Sequence, residues 1–269
     1  MRTFVIGDIH GAHKALVQCL ERSGFDREND LLITLGDVCD GWPYVFECVE
    51  ELLKLRRIDL MGNHDYWFLQ WLETTVHMDY WIQGGGGTLH SYLGNCGVGK
   101  YMQSYKIYRA DLNGLMQAYI AYKTDLLPSD IPEHHVSFFK KMAYYYEDGR
   151  GRLFVHAGFD RMKSIEDNRC DDATIFWWDR KLWDKALSCK SGVKLSTIDC
   201  FEEIFIGHTA TTKWNENVPM HAGGVWNLDT GAGRNGKLTI MDVDTKEFWQ
   251  SDLVQTLYAD QAKSSSEKI

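Results

Sequence analysis

Short apolar runs that stop at metal-binding residue types constrain this chain more than any other feature. Five runs have strand length, are rich in β-branched or aromatic residues, and end at Gly or His. The runs, each with the residues that follow it, are Thr3–Ile6 with Gly7-Asp8-Ile9-His10-Gly11, 31–35 with Gly36-Asp37, 58–61 with Gly62-Asn63-His64-Asp65, 153–155 with His156-Ala157-Gly158, and 204–206 with Gly207-His208-Thr209. Strands that end alike predict one sheet rim where these side chains gather, with glycines that let the backbone turn sharply.

Helical patterns between the early runs indicate the class of fold. Residues 13–22 carry leucines at i,i+4 spacing, and residues 44–55 have one apolar face. Strands that alternate with helices predict an α/β protein with a buried sheet. The chain has 269 residues, of which 44% are hydrophobic, so we expect one domain over 1–258 and a disordered tail over 259–269.

The second half of the chain gives less regular patterns. We expect helices over 130–142 and 176–187, and strands over 225–228, 238–243 and 247–250. The run Gly84-Gly85-Gly86-Gly87 is interpreted as a flexible loop, because it lacks the lysine and the following helix of a phosphate-binding P-loop.

Charge and cysteine content narrow the partners and the compartment. A formal net charge of -9 disfavours long nucleic acid as a partner. The seven cysteines are odd in number and form no CxxC pair, which favours reduced thiols in the cytoplasm over disulfides or a zinc knuckle. The opening apolar run is too short for a signal sequence, and no stretch is long enough to span a membrane, so we expect a cytoplasmic protein without membrane contact.

The side chains at the strand ends have the chemistry of metal ligands. Asp8 and His10 lie two residues apart on an extended segment and therefore point the same way. Asp37 offers two carboxylate oxygens and can bridge two cations. The further ligands are one amide oxygen and two imidazoles, from Asn63, His156 and His208. Oxygen and nitrogen ligands without thiolate suit Mn, Fe or Zn better than Ca, and two such cations would clamp a phosphoryl group and acidify a water molecule.

Taken together, the five motifs resemble the ordered motif set of calcineurin-like metallophosphoesterases. Their spacing resembles the phosphoprotein-phosphatase branch, with its compact bacterial and phage Ser/Thr phosphatases, and the symmetrical diadenosine-tetraphosphate hydrolases. Further matches are Trp81 to Gly85 before Thr88, Tyr144-Tyr145, and Asn227-Leu228-Asp229-Thr230-Gly231 before Gly236-Lys237-Leu238. The resemblance covers about residues 3 to 250 and implies a two-sheet β-sandwich flanked by helices, in four α/β/β/α layers.

The same resemblance implies a role for each motif residue. Two divalent metal ions are implied per chain, with Mn expected first and Fe or Zn as alternatives. One would be held by Asp8, His10 and Asp37, and the other by Asp37, Asn63, His156 and His208. The implied reaction is in-line attack of a metal-bridging hydroxide on a phosphate monoester, with His64 as general acid, Asp40 orienting His64, and Asn63, His64 and Arg180 binding the phosphate.

One position departs from the family pattern. The family usually has arginine after the residue that matches Asp40, where this chain has Gly41, followed by Trp42 and Pro43. One bidentate phosphate contact is therefore missing, and we expect Gly41→Arg to raise affinity for phosphomonoesters. Arg180 in Trp177-Trp178-Asp179-Arg180 resembles the other expected arginine, with a helix-surface pair to Asp184 as its structural alternative.

Three functions remain open from the sequence. The first is a phosphatase of phosphorylated proteins or small phosphate esters. The second is a hydrolase of dinucleoside polyphosphates or nucleic-acid ends, which Gly41 keeps in play. The third, a metal-binding scaffold with little turnover, is disfavoured because the ligands are complete and both Asp40 and His64 are present.

Overall fold

Parallel strands at the start of the chain build the first of two sheets. The computed structural model describes residues 1–75, 81, 84–95, 102–110 and 116–259. In spatial order the first sheet consists of β12 (Phe248–Gln250), β11 (Thr239–Asp242), β1 (Thr3–Ile6), β2 (Leu31–Thr34) and β3 (Arg57–Asp59). The strands β1, β2 and β3 run parallel, so the segments after all three leave from the same edge.

The second sheet repeats this arrangement with strands from the second half of the chain. In spatial order it consists of β6 (Tyr145–Glu147), β7 (Arg152–Val155), β8 (Glu203–Ile206), β10 (Val225–Asn227) and β9 (Met220–Ala222). The central strands β7, β8 and β10 are parallel, and the edge strands β6 and β9 are antiparallel to their neighbours.

Alternating side chains of the strands separate two cores. In β1, Val5 points into a core shared by both sheets, whereas Phe4 and Ile6 join the larger core under the helices. Between the sheets, the rings of Phe154 and Phe205 stack with centroids 4.8 Å apart. Two sheets packed face to face with helices outside confirm the predicted α/β/β/α sandwich.

The helices cover the outer faces of the sheets. They are α1 (His13–Arg22), α2 (Val45–Leu52), α3 (Asn63–Thr74), α4 (Gly85–Asn95), α5 (Glu133–Lys140), α6 (Ile165–Asp172), α7 (Ile175–Trp178), α8 (Lys181–Leu187) and α9 (Val254–Leu257). An antiparallel hairpin, β4 (Met102–Ala110) with β5 (Met116–Thr124), adds a small third sheet. Among the helices described, none has both the length and the apolar character that crossing a bilayer requires.

Two local predictions were wrong. The glycine run is not a loop, because α4 begins at Gly85. These glycines allow close packing: a Cβ on Gly85 would lie 2.7 Å from the indole nitrogen of Trp81, and one on Gly87 would lie 2.5 Å from the carbonyl oxygen of Gly41. The helix expected over 176–187 is interrupted at Asp179, which is extended and separates α7 from α8. The tail prediction falls on 260–269, outside the described residues, apart from its first residue.

Candidate metal centre

Six predicted ligands meet where the carboxyl ends of the two sheets face each other. They come from the segments after β1, β2, β3, β7 and β8. Ligand atoms of Asp8, Asp37 and His156 all lie within 4.8 Å of one another. The Asn63 Oδ1 atom lies 3.2 Å from His156 Nε2 and 2.9 Å from His208 Nδ1. The structure therefore brings side chains from both sheets into one cluster.

Asp37 occupies the middle of this cluster. Its Oδ2 atom lies 3.6 Å from His10 Nε2 and 3.5 Å from His156 Nε2. Its Oδ1 atom accepts a hydrogen bond of 2.9 Å from the backbone N–H of His64. One carboxylate thus faces an imidazole on each side, which is the placement that a bridging ligand needs.

In His10 and His156, the ring nitrogen that carries no proton faces a carboxylate oxygen. Burial lowers the pKa of His156 to about 3 and that of His10 well below its usual value, so both rings are neutral. Their Nδ1–H groups donate to backbone carbonyls, at 2.7 Å to Leu35 and 3.0 Å to Cys39. Each Nε2 lone pair therefore faces the Asp37 carboxylate, and this contact is repulsive unless a cation lies between them.

Two further observations agree with a cation site. His208 Nε2 is buried and has no hydrogen-bond partner among the described residues. Burial, with the neighbouring Asp229 and Asp37, raises the pKa of Asp8 well above its usual value, and burial raises that of Asp37 to about 8. Crowded carboxylates become favourable as anions only beside a cation. The donor set of carboxylates, imidazoles and an amide oxygen fits divalent transition metals.

The backbone is held in an uncommon conformation at four of the site residues. His10 and Asp37 have φ of 50°, Asp40 has 69° and His208 has 66°. Such left-handed conformations of non-glycine residues cost on the order of 1–3 kcal/mol each and persist where the surroundings enforce them. Their concentration here indicates that the loops are shaped by the site.

Two of the motif glycines have a different function from the one predicted. The predicted sharp turn holds for Gly36, whose φ is +98°, but Gly62 has a φ of -91°. A Cβ on Gly62 would lie 2.1 Å from Asp37 Oδ1, and one on Gly207 would lie 2.0 Å from Asp8 Oδ1. These two glycines provide space for the carboxylates, rather than freedom for the backbone.

His64 is held by a buried carboxylate at the edge of the cluster. Its Nδ1 atom lies 2.6 Å from Asp40 Oδ2. The other oxygen of Asp40 accepts hydrogen bonds of 3.0 Å from the Trp81 indole and 2.6 Å from the Thr88 hydroxyl. Burial lowers the pKa of His64, but the charge of Asp37 and the hydrogen bond to Asp40 outweigh burial and raise it to about 9. In the sequence, Trp81 and Thr88 were identified only as matches to the family. In the structure, their hydrogen bonds hold the Asp40 side chain in place.

Asp65 supports the loops that carry the predicted ligands through hydrogen bonds to the backbone, a role that the sequence did not indicate. Its Oδ1 atom accepts the N–H groups of Val38 and Cys39, at 2.9 and 3.0 Å, and its Oδ2 atom accepts that of Gly62 at 3.1 Å. It is fully buried. The side chain therefore joins the loop after β2 to the start of α3.

A cavity of about 410 Å³ opens above the cluster. His64, Trp67, Trp178 and Arg180 are among its lining residues. The Arg180 guanidinium donates to the Thr209 hydroxyl at 2.7 Å. The ion pair with Asp184, which the sequence offered as a structural alternative, is absent from the described residues. Asp229, which belongs to the 227–231 match, also lines the cavity, as do three residues that the sequence did not single out: Lys213, Arg234 and Asn235. Their positions in the sequence could have identified them. Lys213 follows the motif at 207–209, and Arg234 and Asn235 lie between the matched segments 227–231 and 236–238.

The backbone at Gly41 does not suit the arginine that we expected to improve binding there. Its φ is +75°, and a Cβ would lie 3.1 Å from both Cβ and the carbonyl oxygen of His10. Gly41→Arg would therefore strain the loop that carries Asp40. Neither Cys39, whose carbonyl oxygen accepts the Nδ1–H of His10, nor His221 is among the residues that line this cavity. Cys39 is buried, which raises its thiol pKa well above the usual value, and His221 stacks on Trp226 with centroids 4.3 Å apart.

Comparison with known proteins agrees with this site. The chain is 31% identical over 83 residues to serine/threonine-protein phosphatase 1 of Salmonella typhimurium, a match that covers 31% of the chain and 38% of that protein. It is 34% identical over 71 residues to the symmetrical bis(5'-nucleosyl)-tetraphosphatase of Dechloromonas aromatica, covering 26% of each. The matches thus span less than half the length of these curated relatives.

Structural and family comparisons extend over more of the chain. A crystal structure of a putative diadenosine tetraphosphatase superposes with a TM-score of 0.60 and 15% identity, covering 93% of this chain and 92% of that one. The family model described as calcineurin-like phosphoesterase matches residues 1–213, which include all the predicted ligands. The resemblance drawn from the motifs is confirmed, and the chain belongs to the calcineurin-like phosphoesterase family.

Proposed function

We propose that the chain is a two-metal phosphoesterase that hydrolyses phosphate monoesters. The observation that carries this proposal is the single carboxylate oxygen of Asp37 that faces the bare nitrogens of His10 and His156. Family membership and the names of the relatives, which include serine/threonine-protein phosphatases, support the same reaction class.

We assign one cation to Asp8, His10 and Asp37, and the other to Asp37, Asn63, His156 and His208. All lie in the cluster described above, and Asp37 is placed between the two groups of nitrogen ligands. When bound, the two cations would neutralise phosphoryl oxygens and acidify a water molecule, and we expect Mn, with Fe or Zn as alternatives.

His64 supplies the proton in this proposal. Asp40 occupies Nδ1 at 2.6 Å, so the proton to be transferred is held at Nε2 of a ring that lines the cavity. A pKa raised to about 9 supports a protonated ring at neutral pH. As the bond between phosphorus and the leaving oxygen breaks, Nε2 gives its proton to that oxygen, while the Asn63 amide and Arg180 hold the phosphoryl group.

A second candidate is hydrolysis of dinucleoside polyphosphates. The observation that favours it is the set of cations along the cavity, Arg180, Lys213 and Arg234, which exceeds what one phosphoryl group needs. The symmetrical bis(5'-nucleosyl)-tetraphosphatases among the relatives support it as well.

One activity panel tests these proposals. Purified protein would be assayed with a phosphomonoester, a phosphodiester, a phosphopeptide and diadenosine tetraphosphate, each with Mn, Fe, Zn and Mg. We expect metal-dependent turnover of the monoesters that is lost in His64→Ala. Two metal ions per chain without turnover of any substrate would contradict the proposal and favour the metal-binding scaffold.

A further inference from the structure

Three cationic side chains line the cavity and form no ion pair with a carboxylate of the described residues, although the Asp229 carboxylate lines the same cavity. Lys213 and Arg234 are exposed, and neither takes part in an ion pair or a side-chain hydrogen bond in the described parts of the chain. Within the described residues, the side-chain hydrogen bond of Arg180 goes to the neutral hydroxyl of Thr209. In a chain with a formal charge of -9, cations left unpaired around one cavity are available to an anionic ligand.

The loop that carries Arg234 is rigidly built. The N–H groups of Arg234 and Gly236 both donate to the carbonyl oxygen of Gly231, at 3.1 and 2.9 Å. The Trp42 indole donates to the carbonyl oxygen of Ala232 at 2.8 Å. Hydrogen bonds from within and from outside therefore define the path of this loop.

The same loop lies directly against a predicted metal ligand. A Cβ on Gly233 would be 2.5 Å from the His10 ring, and a Cβ on Gly41 would be 3.5 Å from the carbonyl oxygen of Gly233. The loop thus passes within ordinary van der Waals distance of a Cβ at position 41. Arg234, the next residue, is placed at the cavity on the His10 side of the centre.

Lys213 reaches the cavity from a second loop that packs on the first. It lies in the short 3₁₀ helix Thr211–Trp214 after β8. The Thr211 N–H donates to the Asp229 carbonyl oxygen at 2.8 Å, and a Cβ on Gly231 would lie 3.1 Å from the Thr212 methyl carbon. Partial burial first, and then the charges of Arg180 and Arg234, lower the pKa of Lys213 and outweigh the opposing charges of Asp229 and Asp184.

The charge of these cations exceeds what one phosphate requires. In the proposed site, the four positive charges of two divalent cations less the three negative charges of Asp8, Asp37 and Asp229, which lines the same cavity, leave about one. Arg180 adds one more, and one phosphate ester carries about -1.5 to -2. Arg180 and His64 already supply donors to that group. Lys213 and Arg234 are therefore in excess at the reacting phosphate itself.

We propose that Lys213 and Arg234 form a second anion-binding position in the cavity, which takes a second phosphate group carried by the substrate. The proposal rests on the phosphoesterase function proposed above and identifies its substrates as esters that bear two or more phosphates. The position is built from the 208–214 and 229–236 loops and lies beside the metal-ligand cluster.

Binding of two matched probes tests the proposal. Methylphosphonate carries one anionic group, and methylenediphosphonate carries two that a phosphoesterase cannot separate, because a carbon atom joins the phosphorus atoms. Binding to the intact protein would be measured by titration calorimetry at one fixed free Mn concentration, so that chelation by the probe is common to every protein. The variants are Lys213→Ala and Arg234→Ala. Lys237→Ala is the matched control, because it removes the same charge from a residue that does not line the cavity.

We expect the wild type to prefer methylenediphosphonate. Each cavity variant should weaken its binding by roughly 5- to 10-fold, as for a partly exposed charged contact, and should change methylphosphonate binding less than about twofold. Equal losses for both probes would overturn the proposal, since the cations would then grip the reacting phosphate. No loss, or no preference in the wild type, would overturn it too. A wild type that prefers methylenediphosphonate but hydrolyses no ester would support the anion position and contradict the proposed function.

Discussion

Gly207→Ala should move Asp8, a proposed metal ligand, without altering any of the proposed ligand residues. The added Cβ would lie 2.0 Å from Asp8 Oδ1, 3.1 Å from Cγ and 3.6 Å from Oδ2, and the three nearest atoms that it meets all belong to this side chain. Restoring an ordinary 3.4 Å contact requires the oxygen to move by about 1.4 Å. Metal–oxygen bonds are only about 2.0–2.2 Å long, so this displacement takes the oxygen out of coordination.

The same displacement breaks a supporting contact. The Asp8 carboxylate accepts the backbone N–H of His208 at 3.0 Å, and this bond orients both residues. We therefore expect Gly207→Ala to lose about 10- to 100-fold in metal affinity, as for other changes that disturb the support of a ligand. Gly62→Ala is a poorer choice, because its Cβ would also lie 2.3 Å from the backbone nitrogen of Asp37 and would disturb the fold.

The assay is metal content by elemental analysis after dialysis at defined free Mn, together with turnover of a phosphomonoester. Gly149→Ala is the matched control, because a Cβ there meets nothing within 4 Å. Circular dichroism and thermal unfolding establish that both variants fold. If folded Gly207→Ala retains the metal content and turnover of the wild type, Asp8 is not a ligand in the position that we assign to it.

Further predictions follow from the same contacts. Asp37→Asn should cost more bound metal than any other single ligand change, because its carboxylate faces both His10 and His156; two metals retained at wild-type affinity would contradict the bridging role. His64→Ala should keep both metals and lose about 10²–10⁴-fold in turnover of alkyl phosphates but much less for nitrophenyl phosphate, whose leaving group needs no proton; equal losses would exclude the role of acid. Thr88→Val removes the 2.6 Å hydrogen bond to Asp40 and should show the same asymmetry in milder form, in the same pair of assays. Without metal, unfolding experiments should show that stability falls as pH rises from 6.5 to 8. Folding raises the pKa of Asp37 to about 8 and that of His64 to about 9, so in this range the folded chain binds more protons than the unfolded chain. Saturating Mn should remove the fall.

The residues in the sequence motifs were predictable because side chains with metal-binding chemistry directly follow recognisable strands. Asp8, Asp37 and His156 each follow a strand that is apolar enough to be recognised, and parallel strands end at a common edge. The predicted helix over 13–22 also agrees with α1, His13–Arg22, because the apolar face of this amphipathic segment packs against the sheet and is buried there.

The supporting residues could not be predicted, because their partners are distant in sequence. Thr88 reaches Asp40 across 48 residues, and the indole of Trp42 reaches Ala232 across 190. The same reason explains the error at Gly84–Gly87. A glycine run has no side chains that favour a helix, and only the close approach of Trp81 and Gly41 shows why glycines begin one.

Contacts between the two sheets explain why the order of the motifs is so informative about the fold. Asp8, from the first sheet, occupies the space that Gly207 leaves in the second and accepts the N–H of His208. His156, from the second sheet, donates to the carbonyl oxygen of Leu35 at the end of β2 in the first. The bonds that orient these proposed ligands are therefore also bonds that join the sheets at this end. A sequence that keeps these ligands and their glycines in order has thereby specified how its two sheets meet.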